Sequence, residues 1–191
     1  MERALHIVVL DRSSVGEDVS VEPLKKYGEV TFHMTTKDEE AAERVKDADI
    51  IIVNKTPMNA DTLDGAGHLK LICEFATGFD NVDLDYCRKR GIPVVNVVNY
   101  STAAVAQHTI ACVLYILEKL RYYDDYVKEE RYINDTIFTH FAEHFTEISG
   151  KTWGIIGLGT IGRRVADIAK AFGAQIIYYS ASGRSAQEGY E

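Results

Sequence analysis

The sequence predicts an α/β protein built on parallel sheets. Over the first hundred residues, short apolar runs rich in valine and isoleucine alternate with polar stretches that have one apolar side. Strands that are apolar throughout are typical of a parallel sheet with helices on both faces. Further along, a glycine-rich turn lies between another apolar run and a helical pattern, within residues 153–172. That arrangement predicts a second unit of the same class.

Five strands and four helical segments are predicted before residue 100. The predicted strands are His6–Leu10, Val30–Phe32, Ile50–Val53, Leu71–Phe75 and Val94–Val97. The predicted helical segments are Val21–Tyr27, Lys37–Lys46, Asp61–Leu69 and Asp83–Arg90. Their alternation favours a flavodoxin-like doubly wound domain, in which ligands bind beyond the carboxyl ends of the strands.

A long helix and an irregular arm are expected next, over residues 101–148. Ser101 and Thr102 are N-cap candidates for a helix that we expect to continue to about Tyr126 or Glu130. Its apolar residues cover too wide an arc for a lone surface helix, so the helix should bridge two domains or pack in a dimer. The arm is charged and aromatic, which favours contact with another subunit. Its aromatic residues include Tyr132, Phe138, Phe141 and Phe145.

Gly157, Gly159 and Gly162 form a GxGxxG motif between a predicted strand, residues 153–156, and a predicted helix. A second strand is predicted at Gln175–Tyr179. In such a turn the first glycine allows the tight bend and the second lets the backbone approach a pyrophosphate. The third glycine lets the helix pack closely against the strand. The motif therefore predicts nucleotide binding at the start of a Rossmann domain, and the alternative is a purely structural turn.

The end of the second predicted strand lacks the acid that usually binds a ribose hydroxyl. The sequence there reads Tyr-Ser-Ala-Ser-Gly-Arg over residues 179–184. Ser180 and Arg184 are suited to a 2′-phosphate, which favours NADP over NAD. The alternative is that the residues beyond Ser180 are an ordinary chain end.

Composition excludes some classes of partner and indicates a location. The net charge of −8 argues against nucleic acid and anionic membranes, because both repel an acidic surface. The longest apolar run, Ile110–Leu117, is too short to span a bilayer. Cys73, Cys87 and Cys112 are odd in number and lack metal-binding spacing, and no signal-peptide pattern follows Met1. These features predict a cytoplasmic protein.

Five motifs follow one another along nearly the whole chain. They are Asn-Lys-Thr-Pro at 54–57, Ala-Thr-Gly-Phe-Asp-Asn-Val-Asp at 76–83, Arg-Gly-Ile-Pro-Val at 90–94, Tyr-Ser-Thr-Ala-Ala-Val-Ala-Gln-His at 100–108 and Gly-Lys-Thr-Trp-Gly-Ile-Ile-Gly at 150–157. In this order they resemble the D-isomer-specific 2-hydroxyacid dehydrogenase family. Within that family the chain is similar to the glycerate dehydrogenase or hydroxypyruvate reductase group.

The resemblance implies a substrate site in the first domain and a cofactor site in the second. The backbone amides of Thr77 and Gly78 would hold the carboxylate of a small 2-keto or 2-hydroxy acid. Lys55 would add positive charge there, or would be a solvated loop lysine. Tyr100 would shape the pocket, or would be a packing residue. The residues expected to contact NAD or NADP are Gly157, Gly159, Thr160, Ile161, Gly162 and Ser180.

The family's catalytic histidine, its carboxylate partner and its arginine are expected in a later segment. None of the six histidines of this chain stands in the place of that histidine, so no catalytic residue is assigned. His140 and His144 are four residues apart and could share a helical face, but without a third ligand they do not predict a metal site. Because a carbonyl reduction needs both the proton and the guanidinium, we expect the chain to be nearly inactive.

The sequence therefore supports a first hypothesis, and alternatives stay open. The first is the N-terminal part of an NAD(P)-dependent D-2-hydroxyacid dehydrogenase, with domains at 1–100, 101–148 and 149–191. A Rossmann sheet that stops after its second strand exposes an edge, so a homo-oligomer, preferably a dimer, is expected. The second is a non-catalytic ligand-binding or oligomerising module derived from the same family. A methyltransferase is a third reading, against which the four other motifs argue.

Overall fold

The computed structural model describes residues 3–180. The chain divides into two compact units, with the boundary between Val98 and Asn99. Each unit has its own parallel sheet. The predicted division into residues 1–100, 101–148 and 149–191 stays a prediction.

The first unit contains a five-stranded parallel sheet in the order β2-β1-β3-β4-β5. Its strands are β1 (Leu5–Val9), β2 (Gly28–Phe32), β3 (Ile50–Val53), β4 (Leu71–Glu74) and β5 (Val94–Val95). In this order the chain starts near the middle of the sheet and winds outward in both directions. The doubly wound, flavodoxin-like α/β class predicted from the sequence is confirmed.

Short helices connect these strands. They are α1 (Asp38–Val45), α2 (Ala60–Leu63) and α3 (Leu84–Lys89), with 3₁₀ turns at Arg12–Ser14 and Glu22–Lys26. The Asn59 side chain caps α2 and the Asp83 side chain caps α3, each accepting a backbone N–H. The helix predicted over Asp61–Leu69 was too long, because Gly65 and Gly67 lie shortly after the end of α2 and disfavour its continuation. His68 therefore lies in a turn rather than on a helix.

The core of the first unit lies on both faces of its sheet. Successive residues of a strand point to opposite faces, so each buried strand contributes to two layers. One layer includes Val8, Ile51, Val53 and Ile72, packed with residues of the helices. The opposite layer is formed by Ile7, Val9 and Ile52. This double burial explains why the strands read as continuous apolar runs in the sequence.

The second unit joins two helices to a two-stranded parallel sheet. Its elements are α4 (Thr102–Leu117), α5 (Leu120–Lys128), a 3₁₀ turn (Arg131–Asn134), β6 (Thr152–Ile156), α6 (Thr160–Ala171) and β7 (Gln175–Tyr179). Helices α4 and α6 pack against each other through Ala106, Ile110 and Val165. Gly173 has a φ of +84°, a conformation that ends a helix readily when no Cβ is present. The predicted strand-turn-helix-strand unit is thus observed.

The long helix expected to reach Tyr126 or Glu130 is in fact two helices. Lys119 adopts the left-handed conformation, with φ 54° and ψ 37°, and α4 and α5 meet there at 66°. A residue with left-handed φ and ψ angles cannot continue the hydrogen bonds of a right-handed helix, so α4 ends. Within residues 3–180, no single helix is long and apolar enough to span a membrane. The bent pair of α4 and α5 reaches the required length and apolar composition only when its two helices are counted together.

The segment after α5 is largely irregular, as predicted for the arm. Apart from the 3₁₀ turn, residues 129–151 form no helix or strand. Phe138, Phe141 and Phe145 expose more than half of their surface. Exposed aromatic side chains in this number are unusual for a surface that faces only water.

Candidate functional site

The turn that follows β3 is held in place by a buried carboxylate. Asp11 is only 7% exposed, and its Oδ2 accepts the backbone N–H groups of Asn54 (2.9 Å), Lys55 (2.9 Å) and Thr56 (3.2 Å). Its Oδ1 accepts the Thr56 hydroxyl at 3.0 Å. The backbone around Lys55 is therefore fixed, while the Lys55 side chain is exposed at the carboxyl edge of the sheet.

The hydrogen bonds to Asp11 favour its carboxylate form over the protonated acid. Burial acts to raise its pKa, but the hydrogen bonds from Lys55, Asn54 and Thr56 outweigh burial and lower the pKa below its ordinary value. The sequence analysis missed this residue. The available signal was an acid placed directly after an apolar strand, at the edge where ligands of such sheets bind.

The turn that follows β4 contains both predicted carboxylate-binding residues. The Thr77 hydroxyl donates to the carbonyl of Val97 at 2.8 Å, and the Asn96 side chain donates to the Thr77 carbonyl at 2.7 Å. Thr77 and Gly78 are exposed. A Cβ on Gly78 would meet only Asp80 Oδ2, at 3.9 Å, so packing does not require glycine there. A turn with accessible amides at a sheet edge is chemically suited to an anion.

A buried polar link joins these two turns. The Asn81 side-chain nitrogen donates to Glu74 Oε1 at 2.9 Å and to the Thr56 carbonyl at 3.2 Å. Glu74 ends β4 and is only 2% exposed. Burial, and next the Asp11 carboxylate, raise the pKa of Glu74, against the opposing effects of Asn81 and Lys55. The structure therefore brings Lys55 into the same polar cluster as the turn that carries Thr77 and Gly78.

Tyr100 belongs to the second unit. Its side chain is 63% exposed and immediately precedes the N-cap of α4. The role of Tyr100 in shaping a substrate pocket stays a prediction.

Two of the three motif glycines are required by the fold of the second unit. Gly157 has a φ of +90°, and its N–H donates to the Tyr179 carbonyl at 2.8 Å. A Cβ on Gly162 would lie 2.2 Å from the Gly157 carbonyl oxygen, closer than any real Cβ contact. Strand β6 and helix α6 can therefore approach this closely only with glycine at 162.

Gly159 is different, because nothing in the fold requires it to be glycine. Its backbone is extended, with φ −79° and ψ −163°, and a Cβ would meet nothing within 4 Å. It occupies the N-cap of α6, where serine, threonine, aspartate or asparagine usually bind the first helical amides. Glycine leaves those amides free and the space before them open.

The first turn of α6 is suited to a phosphate group. Thr160 and Ile161 begin this 12-residue helix, its first turn contains no acidic side chain, and no side chain caps it. The free amides and the helix dipole make such an end attractive to anions. The residues present thus fit a dinucleotide pyrophosphate. Ser180 follows β7 and is partly buried, whereas Arg184 lies outside the described residues.

His140 has a packing role in the second unit. Its ring stacks on Tyr126 with 4.0 Å between ring centroids, its Nε2 lies 2.7 Å from the Tyr122 hydroxyl, and its Nδ1 lies 3.7 Å from Asp135. His140 and His144 do not share a helical face, because this segment is irregular. In the part of the chain that the structure describes, no three histidine, cysteine, aspartate or glutamate side chains are grouped to bind a metal.

Comparison with known proteins identifies the family. The family model for the D-isomer specific 2-hydroxyacid dehydrogenase catalytic domain matches residues 7–190. A hydroxypyruvate reductase from Blautia hydrogenotrophica is 33% identical over 188 residues, which is 96% of this chain and 58% of that protein.

Solved structures agree with this assignment. D-Lactate dehydrogenase from Aquifex aeolicus, complexed with NAD and lactic acid, superimposes with a TM-score of 0.75 at 30% identity, over 97% of this chain and 55% of that chain. An NADPH-dependent glyoxylate/hydroxypyruvate reductase from Sinorhizobium meliloti, in complex with citrate, gives a TM-score of 0.75 at 25% identity, over 100% and 58% of the two chains. The protein spans a little over half the length of these relatives, and it belongs to the D-isomer-specific 2-hydroxyacid dehydrogenase family.

Proposed function

We propose that this chain supplies the substrate-carboxylate site and the pyrophosphate site of an NAD(P)-dependent D-2-hydroxyacid dehydrogenase. The complete enzyme would reduce a small 2-keto acid to the D-2-hydroxy acid. The observation that carries the proposal is Gly159, a glycine that the fold does not need and that leaves the N-terminus of α6 open. Family membership supports the reaction class.

The chemistry divides between the two units. The cofactor would supply the hydride that is added to the carbonyl carbon of the keto acid. The amides of Thr77 and Gly78 would bind the carboxylate of the substrate, and Lys55 would lower the cost of bringing an anion to an acidic protein. The amides of Thr160 and Ile161 would bind the pyrophosphate. Ser180, in place of an acid after β7, favours NADPH over NADH.

We also propose that these 191 residues alone do not catalyse the reduction of a 2-keto acid. Reduction of a carbonyl needs a proton donor and a cationic group at the developing alkoxide. His140 Nδ1 lies 3.7 Å from Asp135 Oδ2, but the His140 ring is stacked on Tyr126 and serves packing. Oxidation of NADH and NADPH should be measured with hydroxypyruvate, glyoxylate and pyruvate. Clear turnover by the purified chain would overturn this part and would direct attention to His108 and Lys55.

Cofactor binding is tested by two glycine substitutions with opposite effects. NADPH binding is followed by energy transfer from Trp153, the one tryptophan of the chain. Gly159→Ser should leave stability unchanged or improved, since serine caps helices, but should weaken NADPH binding about tenfold or more by filling the phosphate space. Gly162→Ala should instead destabilise the unit by about 1–3 kcal/mol through overpacking. Unchanged NADPH binding by a folded Gly159→Ser variant would contradict the proposal.

Substrate binding is tested at Lys55. Oxamate, a non-reactive analogue of a 2-keto acid, is titrated while the amide resonances of Thr77 and Gly78 are followed by NMR. Lys55→Met should weaken oxamate binding about tenfold, because one positive charge near the anion is removed. Lys89→Met, at an exposed lysine on α3, is the matched control and should have no effect. Equal losses in both variants would indicate only a general charge effect.

A second candidate function is an oligomerising module without catalysis. The exposed aromatic side chains of the arm, Phe138 above all, favour this candidate and the homo-oligomer expected from the sequence. A defined dimer in solution that binds neither NADPH nor oxamate would support this candidate over the first. Both candidate functions include the predicted cytoplasmic location. The three cysteines are free thiols in the structure.

A further inference from the structure

The side chain of Glu74 has no place in the chemistry proposed above, yet it is among the most buried polar groups of the first unit. It lies at the last position of β4, in register with Val53 of β3. Its Oε1 accepts one hydrogen bond, from Asn81. Among the described residues its Oε2 has no hydrogen-bond partner and is buried. A buried carboxyl group with a single hydrogen bond is costly to retain, so it calls for an explanation.

The explanation begins with what Glu74 orients. The Asn81 nitrogen that donates to Glu74 also donates to the Thr56 carbonyl, and the Asn81 carbonyl accepts the N–H of Met58 at 2.8 Å. One asparagine therefore joins the turn after β4 to the turn after β3. These turns carry Thr77 and Gly78 on one side and Lys55 on the other.

We propose that Glu74 is a positioning residue that acts as the neutral acid. Through Asn81 it fixes the spacing of the two turns that bind the substrate carboxylate, and its ionisation weakens that binding. This inference rests on the proposed function, since it concerns the same anion site.

Charge supports the neutral form. The charged groups that face Glu74 from neighbouring elements are Asp11, after β1, and Lys55, after β3. On its own turn, Asp80 is exposed and Asp83 caps α3. With Glu74 neutral, Asp11 and Lys55 balance each other, whereas an ionised Glu74 adds a negative charge beside a site for anions.

Hydrogen bonding points the same way. Asn54 Oδ1 is the other buried side-chain atom of residues 3–180 without a partner, and it can act only as an acceptor. A protonated Glu74 presents an O–H donor as well as an acceptor. An ionised Glu74 would be an acceptor only, which would add a second unsatisfied acceptor to the buried atoms of the described residues. Burial and the nearby Asp11 raise the pKa of Glu74, in agreement with this reading.

The test is an oxamate titration of the full chain between about pH 5 and about pH 8, with the Thr77 and Gly78 amides followed by NMR. Wild-type affinity should fall about tenfold as the side-chain ¹³C resonance of Glu74 titrates. Glu74→Gln keeps the shape and the acceptor oxygen without the charge, so it should bind at every pH as tightly as the wild type does at low pH. Glu74→Leu removes the bond to Asn81 and should bind weakly throughout.

The control is Glu39→Gln, at an exposed glutamate of α1, which should retain the wild-type pH profile. If the Glu74→Gln variant also retains it, the pH dependence belongs to other groups and the role of Glu74 is overturned. If the Thr77 and Gly78 amides of the wild type do not respond to oxamate at any pH, the anion site itself is wrong. That second result overturns the proposed function, and this inference with it.

Discussion

The two edges of the first sheet both bury carboxyl groups, but they neutralise them differently. At the amino edge, Asp49 pairs with Arg3 at 2.8 Å and Lys70 at 3.1 Å, and it accepts the His6 N–H at 2.9 Å. At the carboxyl edge, Asp11 is held by hydrogen-bond donors of one turn and Glu74 by a single asparagine. At the amino edge, the cationic side chains of Arg3 and Lys70 are thus already paired with Asp49. The carboxyl edge keeps a lysine and accessible amides available for a ligand.

The largest effect should come from Asp11. Asp11→Ala would leave three backbone N–H groups and one hydroxyl without their acceptor, at a cost of about 3–5 kcal/mol in the free energy of unfolding. Urea unfolding of the full chain measures this loss. Asp11→Asn keeps one acceptor oxygen and should lose less. A loss below about 1 kcal/mol for the alanine variant would mean that Asp11 is not the anchor of this turn.

A smaller loss is expected at the opposite edge, with a defined pH dependence. The pKa of Asp49 is lowered from 3.8 to about 2 by the His6 N–H, against the opposing effect of burial, and by Lys70 and Arg3. The stabilisation is therefore present above pH 3.8 and is lost as the pH falls toward about 2. Asp49→Asn should cost about 1–3 kcal/mol near neutral pH and should abolish that slope. An unchanged slope in acid would contradict the assignment.

The pH dependence of stability that Glu74 causes should have the opposite sign to that caused by Asp49, and Glu74→Gln should remove it. The pKa of Glu74 is raised above 4.5. The contribution of Glu74 to the free energy of unfolding is therefore fully present below pH 4.5 and is lost as the pH rises through the folded-state pKa. The variant should match the wild type at pH 4 and be more stable by about 1 kcal/mol at pH 8. Unfolding curves at the two pH values measure the difference. A variant less stable than the wild type at pH 8 would mean that Glu74 functions as an anion.

The smallest effect is expected from Lys70. Its side chain is 63% exposed, so its ion pair with Asp49 is screened by solvent. Lys70→Met should cost about 0–1 kcal/mol, and added salt should reduce the difference. Lys25→Met, which breaks an exposed pair with Glu22, provides the control. A loss as large as that of Asp49→Asn would show that Lys70 carries most of the amino-edge stabilisation.

The sequence was sufficient for the features that depend on local pattern. The strands were located because valine and isoleucine runs mark sheet that is buried on both faces. The glycine turn was located because the spacing of Gly157, Gly159 and Gly162 is itself the geometry of the turn. Both signals lie within a few residues of the feature they predict.

Features that depend on distant residues were missed. Asp11 binds a turn more than 40 residues further along, and Asn81 reaches back 25 residues to Thr56, so no local pattern reveals the polar cluster. The break at Lys119 was also missed. Lysine is a good helix former, and its left-handed backbone conformation follows from how the chain packs rather than from a propensity.

The three motif glycines also differ in what random substitution would do to them. A lineage that no longer bound a nucleotide would still need glycine at 157, for its positive φ, and at 162, for the close contact between strand and helix. Position 159 would no longer need to be glycine, and helix-capping residues such as serine could replace it at no cost to folding. Gly159 is therefore the residue of the motif whose identity carries evolutionary information about a ligand. The other two glycines would persist in a descendant that retained only the shape.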